Sequence, residues 1–176
     1  IHRPNLRDRL YLSLDYRGIR KAVRIIASSH HTKNDLVDHL KIPEETIAVV
    51  HLGVDINIFT PSNGPRPVDS PYILFVGAEH PRKNLKTLLR AFAELKKQAR
   101  FKDLKLVKVG SAGGREADFR SQTLEVIGTL GLEAAVVFTG FVAEEELPLY
   151  YAVADVFVLP THSDPWGLVL NEAMAC

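Results

Sequence analysis

The chain has 176 residues, 46% of them hydrophobic, and its 22 basic residues against 21 acidic ones give a formal charge of +1. Such a hydrophobic share can bury a sizeable core, which excludes wholesale disorder, and the balanced charge argues against a nucleic-acid binder, whose footprint is a marked basic excess. The single cysteine, Cys176, leaves no disulfide framework and fits a reducing compartment, while no apolar run approaches the ~20 residues of a membrane helix.

The first block, residues 1–60, opens on Ile1-His2-Arg3-Pro4-Asn5, which no apolar run follows and which is therefore not a signal peptide. The missing initial Met, and a final Cys176 that falls inside an apolar helical pattern, lead us to expect a chain cut from a longer one. A charged helix is expected over 5–21, a strand over Val23–Ala27, a helix over Thr32–Leu40 with Thr32 or Ser29 as its N-cap, and a strand over Ile47–Val50. Two strands cannot bury a core alone, so this block reads as the remnant of a second domain. Residues 61–71 carry four prolines and a glycine and read as an interdomain linker.

From residue 72 to 176 the pattern alternates. Strands are expected at Tyr72–Val76, Leu104–Val109, Val136–Phe138 and Asp155–Leu159, and helices at Asn84–Ala99, Glu116–Leu130, Glu144–Ala152 and Gly167–Cys176. Strands that follow helices in this rhythm are parallel, and parallel strands covered on both faces read as continuous apolar runs, as these do. The fold class is therefore α/β, a doubly wound parallel sheet of the Rossmann-like kind. Ligands of such sheets bind beyond the strands' carboxyl ends. That picks out the loops opening at Gly77, Gly110 and Gly140, where a backbone without Cβ can approach a ligand closely.

Two clusters could carry chemistry. Asp164 and Glu172 stand eight positions apart around Trp166-Gly167-Leu168-Val169. A helix starting near Gly167 would turn its first N–H groups and its dipole toward an anion such as a diphosphate. Glu172, one turn inside, could accept from ribose hydroxyls, and Asp164 from sugar hydroxyls. Equally, Asp164 could cap the loop and Glu172 could be a solvated helix residue. The second cluster is Arg82-Lys83-Asn84, two cations that could neutralise a diphosphate leaving group or simply flank a solvated helix start capped by Asn84. The scattered histidines, among them His30-His31 and His162, have no metal-ligand spacing, so no metal site is expected.

Taken in order, these segments resemble the large family of retaining glycosyltransferases called family four, which have two Rossmann-like domains with the active site between them. The resemblance runs from about Ala22 onward. It rests on Ile47–His51, Gly53-Val54-Asp55 and Phe59-Thr60-Pro61, then Val76-Gly77 with Arg82-Lys83-Asn84-Leu85. It continues through Val137–Val142 with Glu146-Leu147, Tyr151–Pro160, and Asp164 to Ala175, which matches a Glu-x7-Glu signature. The resemblance implies that Lys83, helped by Arg82, holds the donor diphosphate. It places Phe141 and Val142 at the base, Gly167, Leu168 and Val169 at sugar or phosphate through their amides, Asp164 at the donor sugar and Glu172 at the ribose.

The implied activity is transfer of a sugar from a UDP or GDP sugar, with retention and no obligatory metal or other cofactor, to a glycan, lipid-linked or small acceptor. It also implies a cytoplasmic location, with peripheral membrane association of the parent protein at the inner face. Two positions depart from the family: Asp164 replaces the usual Glu, and Ala78 stands where Arg often follows the first-strand glycine. Most of an acceptor domain is missing, so the 176 residues alone are not expected to be catalytic. A non-catalytic nucleotide-binding or interaction module of the same fold is the alternative. A dinucleotide oxidoreductase would need Gly-x-Gly-x-x-Gly after the first strand, which Gly77-Ala78-Glu79-His80-Pro81-Arg82 does not supply.

Overall fold

A computed structural model describes residues 15–113 and 117–176. The expected helical residues 5–14 and Glu116 lie outside that set. The chain divides into two compact units, residues 1–52 and 53–176.

In the first unit, strand β1 (Ile25–Ala27) pairs in parallel with β2 (Ile47–Val49), Ile26 opposite Ala48. Helix α1 (His30–Leu40) joins them. Ser29, not Thr32, is its N-cap, and the Ser29 hydroxyl accepts from the Thr32 amide at 3.0 Å, so the helix starts two residues earlier than expected. The helix ends where Lys41 takes the left-handed conformation, φ 55°, and returns its N–H to the Leu36 and Val37 carbonyls ahead of Pro43. Ala27, Ile42 and Ile47 form a small core with Leu36, Val37 and Leu40 packed on it. Residues 15–21 are helical, and Ile19 joins the same core.

The second unit holds a four-stranded sheet in the order β5-β4-β3-β6, every neighbouring pair parallel. Its strands are β3 (Tyr72–Val76), β4 (Lys105–Val109), β5 (Val136–Gly140) and β6 (Val156–Phe157). The crossovers are α2 (Leu85–Lys96), α3 (Ala117–Leu130) and α4 (Leu147–Ala152), and α5 (Leu168–Ala175) follows β6. All five residues of β3 are buried. Ile73 and Phe75 pack with Leu85, Leu89 and Phe92 of α2 and Ile127 of α3. Tyr72, Leu74 and Val76 face the other way, toward Phe59 and Tyr151, with Val169 and Ala173 of α5 packed against that cluster. This alternation is the period-two geometry of a strand covered on both sides, and each such buried apolar side chain contributes roughly 2 kcal/mol.

Several elements end inside their expected limits. The helix expected over 144–152 begins only at Leu147, with Pro148 in its first turn, where a missing N–H is harmless. The strand expected over 155–159 pairs only at Val156 and Phe157. Conversely, β5 runs on to Gly140 through an irregularity that sets Val109 opposite Gly140 and skips Thr139. The Pro-rich run 61–71 is irregular and packs with the second unit. There Arg66 donates to both oxygens of Asp155, at 2.8 and 3.1 Å, and Asp155 also accepts from the Tyr72 amide at 2.8 Å.

The strand order decides where a ligand can sit. From β3 the chain steps outward to β4 and β5, then returns to lay β6 on the other side of β3. The connections leaving β3 and β6 therefore run to helices on opposite faces of the sheet, which makes the carboxyl ends of these two strands the topological switch point of an open α/β sheet.

Candidate functional site

The two loops that flank the switch point are residues 77–84 after β3 and 158–167 after β6. Their backbones are tied together. The Arg82 carbonyl accepts from the His162 amide at 2.8 Å and from the Thr161 hydroxyl at 2.9 Å. Asn84 adopts φ 56°, which Asn tolerates better than most residues, and this turns the chain sharply into α2. Its side chain does not cap the helix backbone; Nδ2 donates to the Pro160 carbonyl at 3.0 Å, and Oδ1 accepts from the Thr87 hydroxyl. His80 shapes the turn Pro81–Lys83, its Nδ1 accepting from the Arg82 amide at 3.1 Å.

Across this junction the Lys83 ammonium forms a close ion pair with Asp164 Oδ2, and Arg82 Nη1 lies 3.7 Å from the same oxygen. Lys83 and Asp164 are mostly buried, whereas Arg82 is about half exposed. Asp164 Oδ1 accepts the Gly167 amide at 3.1 Å. Burial by itself would raise the Asp164 carboxyl, but the hydrogen bond and charge of Lys83, with the amides of Gly167 and Trp166, outweigh it and hold the group below its ordinary range. Of the two sequence readings of Asp164, the structure shows the loop cap, through the Gly167 amide, and adds an ion pair with Lys83. The Gly167 amide, expected to face a ligand, is engaged by Asp164 instead. Gly167 itself, at φ 81°, is the left-handed residue from which α5 starts.

Glu172 lies one turn into α5 and accepts the Tyr151 hydroxyl on Oε2 at 2.7 Å. Burial and this hydrogen bond push the Tyr151 phenol up, so it stays a donor at every ordinary pH. On the far side of β3, Gly110 has φ 108°, and a Cβ there would lie 3.0 Å from the Gly77 carbonyl oxygen. The missing side chain at Gly110 is needed first for the contact between these two loops, which the Gly77 amide closes by donating to the Val109 carbonyl at 3.0 Å. Phe141, after β5, is 85% exposed, whereas Val142 packs on the core beside Tyr151. Leu168 is exposed and Val169 partly buried. Among the described residues no group of three or more His, Cys, Asp or Glu could hold a metal ion.

A second charged cluster went unread in the sequence. Lys108, in the middle of the sheet, is fully buried. Its ammonium donates to the Gly110 and Ser111 carbonyls at 2.7 Å each and lies 3.3 Å from Glu79 Oε1. Arg120 of α3 reaches the same oxygen, Nη2 at 2.6 Å and Nε at 2.8 Å, with its guanidinium 4.3 Å over the Phe138 ring. Burial would raise the Glu79 carboxyl, yet Arg120, Thr123 and Lys108 together keep it low and charged. The available signal was a lysine between Leu106-Val107 and Val109 in a central strand, where a charge needs a partner.

These features lie at the switch point of a Rossmann-like sheet. The model of glycosyl transferases group 1 matches residues 59–176, and that of glycosyltransferase family 4 matches residues 1–58. The chain belongs to the group 1 glycosyltransferases. Among the relatives of this group 1 chain is the D-inositol 3-phosphate glycosyltransferase of Kineococcus radiotolerans, 32% identical over 168 residues, a match that covers 90% of this chain and 39% of the relative. The protein of the same name from Paenarthrobacter aurescens is 34% identical over 170 residues, covering 92% and 41%.

Solved structures with the group 1 chain's fold include sucrose-phosphate synthase from Thermosynechococcus elongatus, at TM-score 0.80 and 27% identity, covering 96% of this chain and 42% of that one. Another is Anabaena HepE in complex with UDP and glucose, at TM-score 0.77 and 25% identity, covering 96% and 45%. The group 1 chain spans about two-fifths of the length of the curated relatives it matches. Among the described residues no helix is long and apolar enough to cross a membrane.

Proposed function

We propose that residues 72–176 form the donor-binding half of a retaining glycosyltransferase that moves a hexosyl group from a UDP or GDP sugar to a glycan, lipid-linked or small acceptor. Residues 1–60 come from the acceptor side and 61–71 from the linker, with 53–60 already packed as part of the second unit. The observation that carries this reading is the junction of Arg82, Lys83 and Asp164 at the switch point, with Glu172 one turn into the helix that begins there.

In this reading the diphosphate approaches Lys83 and Arg82, whose charges stabilise the negative charge that develops as the sugar–phosphate bond breaks, without an obligatory metal. The Leu168 and Val169 amides at the start of α5 add their dipoles. Asp164 meets the donor sugar, Glu172 the ribose, and Phe141 and Val142 the base. The loops opening at Gly77 and Gly110 form the floor. The likeness to HepE, solved in complex with UDP and glucose, supports a nucleotide-sugar donor. Such donors place the protein in the cytoplasm, and a lipid-linked acceptor would bring the whole protein to the inner face of the membrane. The 176 residues alone would not turn over.

A second reading, a nucleotide-binding module without catalysis, is favoured by one observation: both Asp164 oxygens are already engaged within the chain. Calorimetric titration of the complete protein with UDP-glucose, GDP-mannose and ADP-glucose tests the first reading, with a Lys83→Ala variant alongside. We expect one donor to bind and the variant to lose at least about tenfold in affinity, the usual scale for a charge-assisted contact. Unchanged affinity in Lys83→Ala would remove the diphosphate assignment. Binding with no glucose, mannose or other sugar transferred to any acceptor would favour the second reading.

A further inference from the structure

Tyr151 carries a polar group that the proposed roles leave unused. Its ring is buried, wedged edge-on between Phe59 at 6.2 Å and Phe157 at 5.4 Å between centroids. Packing therefore holds both of its side-chain torsions, and its hydroxyl cannot swing away. That hydroxyl donates to Glu172 Oε2 at 2.7 Å, joining α4 to α5. Glu172 is placed differently. It is partly exposed, with three side-chain torsions of its own, and among the described residues nothing donates to its Oε1. A carboxylate free to rotate would have to be ordered by its ligand, which weakens binding; one held by a rigid partner is already ordered.

We propose that Tyr151 is a positioning residue for the donor nucleotide: by holding Oε2 of Glu172 it presents Oε1 to a vicinal diol, the ribose hydroxyls. The proposal rests on the assignment of Glu172 to the ribose. Buried as it is, the phenol keeps its proton and so remains the donor to Glu172 Oε2. A phenylalanine would fill the same space between Phe59 and Phe157, so packing alone does not call for a hydroxyl here.

The test uses the complete protein, first with UDP and GDP to find which binds, then with the 2′-deoxy, 3′-deoxy and 2′,3′-dideoxy forms of that nucleotide, against Tyr151→Phe, Glu172→Ala and the double variant. Thermal unfolding of each variant shows that it is folded. We expect Tyr151→Phe to weaken the ribonucleotide about five- to tenfold, the scale of one hydrogen bond to a charged group, and the dideoxy nucleotide less than about twofold. The double variant should bind no more weakly than Glu172→Ala. Equal effects on ribo- and dideoxynucleotides, or no effect on either while Glu172→Ala loses ribonucleotide affinity, would overturn the role of Tyr151 and leave Glu172 at the ribose. A Glu172→Ala variant that binds the ribonucleotide as the parent does would overturn both.

Discussion

The carboxyl edge of the sheet carries two clusters of charge that differ in what surrounds them. Lys83, Arg82 and Asp164 meet between two loops, and Arg82 is half open to solvent. Lys108 and Glu79 lie wholly inside, with Arg120 partly exposed at their margin. An ion pair at a rim can exchange partners with an incoming anion, because water and a ligand can take over each charge as the pair opens. A pair sealed under two loops cannot, because opening it strands a charge in apolar surroundings. The comparison separates a group available for ligand exchange from a group that sets the shape of the loops holding the ligand.

The largest expected effect comes from breaking the sealed cluster. Lys108→Met leaves Glu79 with Arg120 and Thr123 and strips the Gly110 and Ser111 carbonyls of their donor, so a loss of about 3 kcal/mol in unfolding free energy is expected in chemical denaturation. A Glu79→Gln/Lys108→Met double variant should be less than additive; strict additivity would mean the two groups are not coupled. Next comes Gly110→Ala, expected to cost about 2 kcal/mol, since its Cβ would press on the Gly77 carbonyl at a φ that side chains rarely adopt. A stability equal to the parent's would mean that the two loops separate easily.

The rim cluster should behave in the opposite sense. Lys83→Ala is expected to cost about 2 kcal/mol, less than Lys108→Met because Arg82 and the Gly167 amide still serve Asp164, while abolishing most donor binding. The Asp164 carboxyl also makes a pH prediction. Its folded value lies below the ordinary 3.8, so its stabilisation is complete above that pH and is lost as pH falls through the lower folded value. Asp164→Asn should therefore show a shallower loss of stability than the parent as pH falls below the ordinary carboxylate value of 3.8. Parallel acid-unfolding curves would contradict the ion pair. The smallest effect is expected for Arg66→Ala, which removes a half-exposed pair with Asp155 while the Tyr72 amide still satisfies that carboxylate, so its thermal unfolding should barely move.

Much of the second unit was legible in the sequence because parallel strands buried on both faces leave continuous apolar runs, and all four appear where those runs lie. Their ends were less legible. Pairing sets them: Val156 and Phe157 pair with Ile73 and Leu74, flanked by the Asp155 and Val158 amides on the Tyr72 and Leu74 carbonyls, whatever the apolar run to Leu159 suggests. Likewise both Ser29 and Thr32 can cap a helix, and the choice depends on which side chain meets a free amide. At the candidate site, Lys83, Arg82, Asp164 and Glu172 stood out as charges at loop ends and a helix start. That Asp164 would spend both oxygens inside the chain did not, nor did the burial of Lys108, since a strand pattern shows which face a residue takes but not what covers it.

The kinds of element, their order, the α/β class and the family are written along the chain, because helix and strand periodicity and the order of short motifs are properties of sequence neighbours. The strand order β5-β4-β3-β6, and with it which loops meet at the switch point, arises on folding. Folding also chooses the partners: Lys83 with Asp164 across 81 positions, Glu79 with Arg120 across 41, and Tyr151 with Glu172 across 21. Those pairs form because folding removes water from each group and leaves it the donor or acceptor that the packed sheet brings within reach.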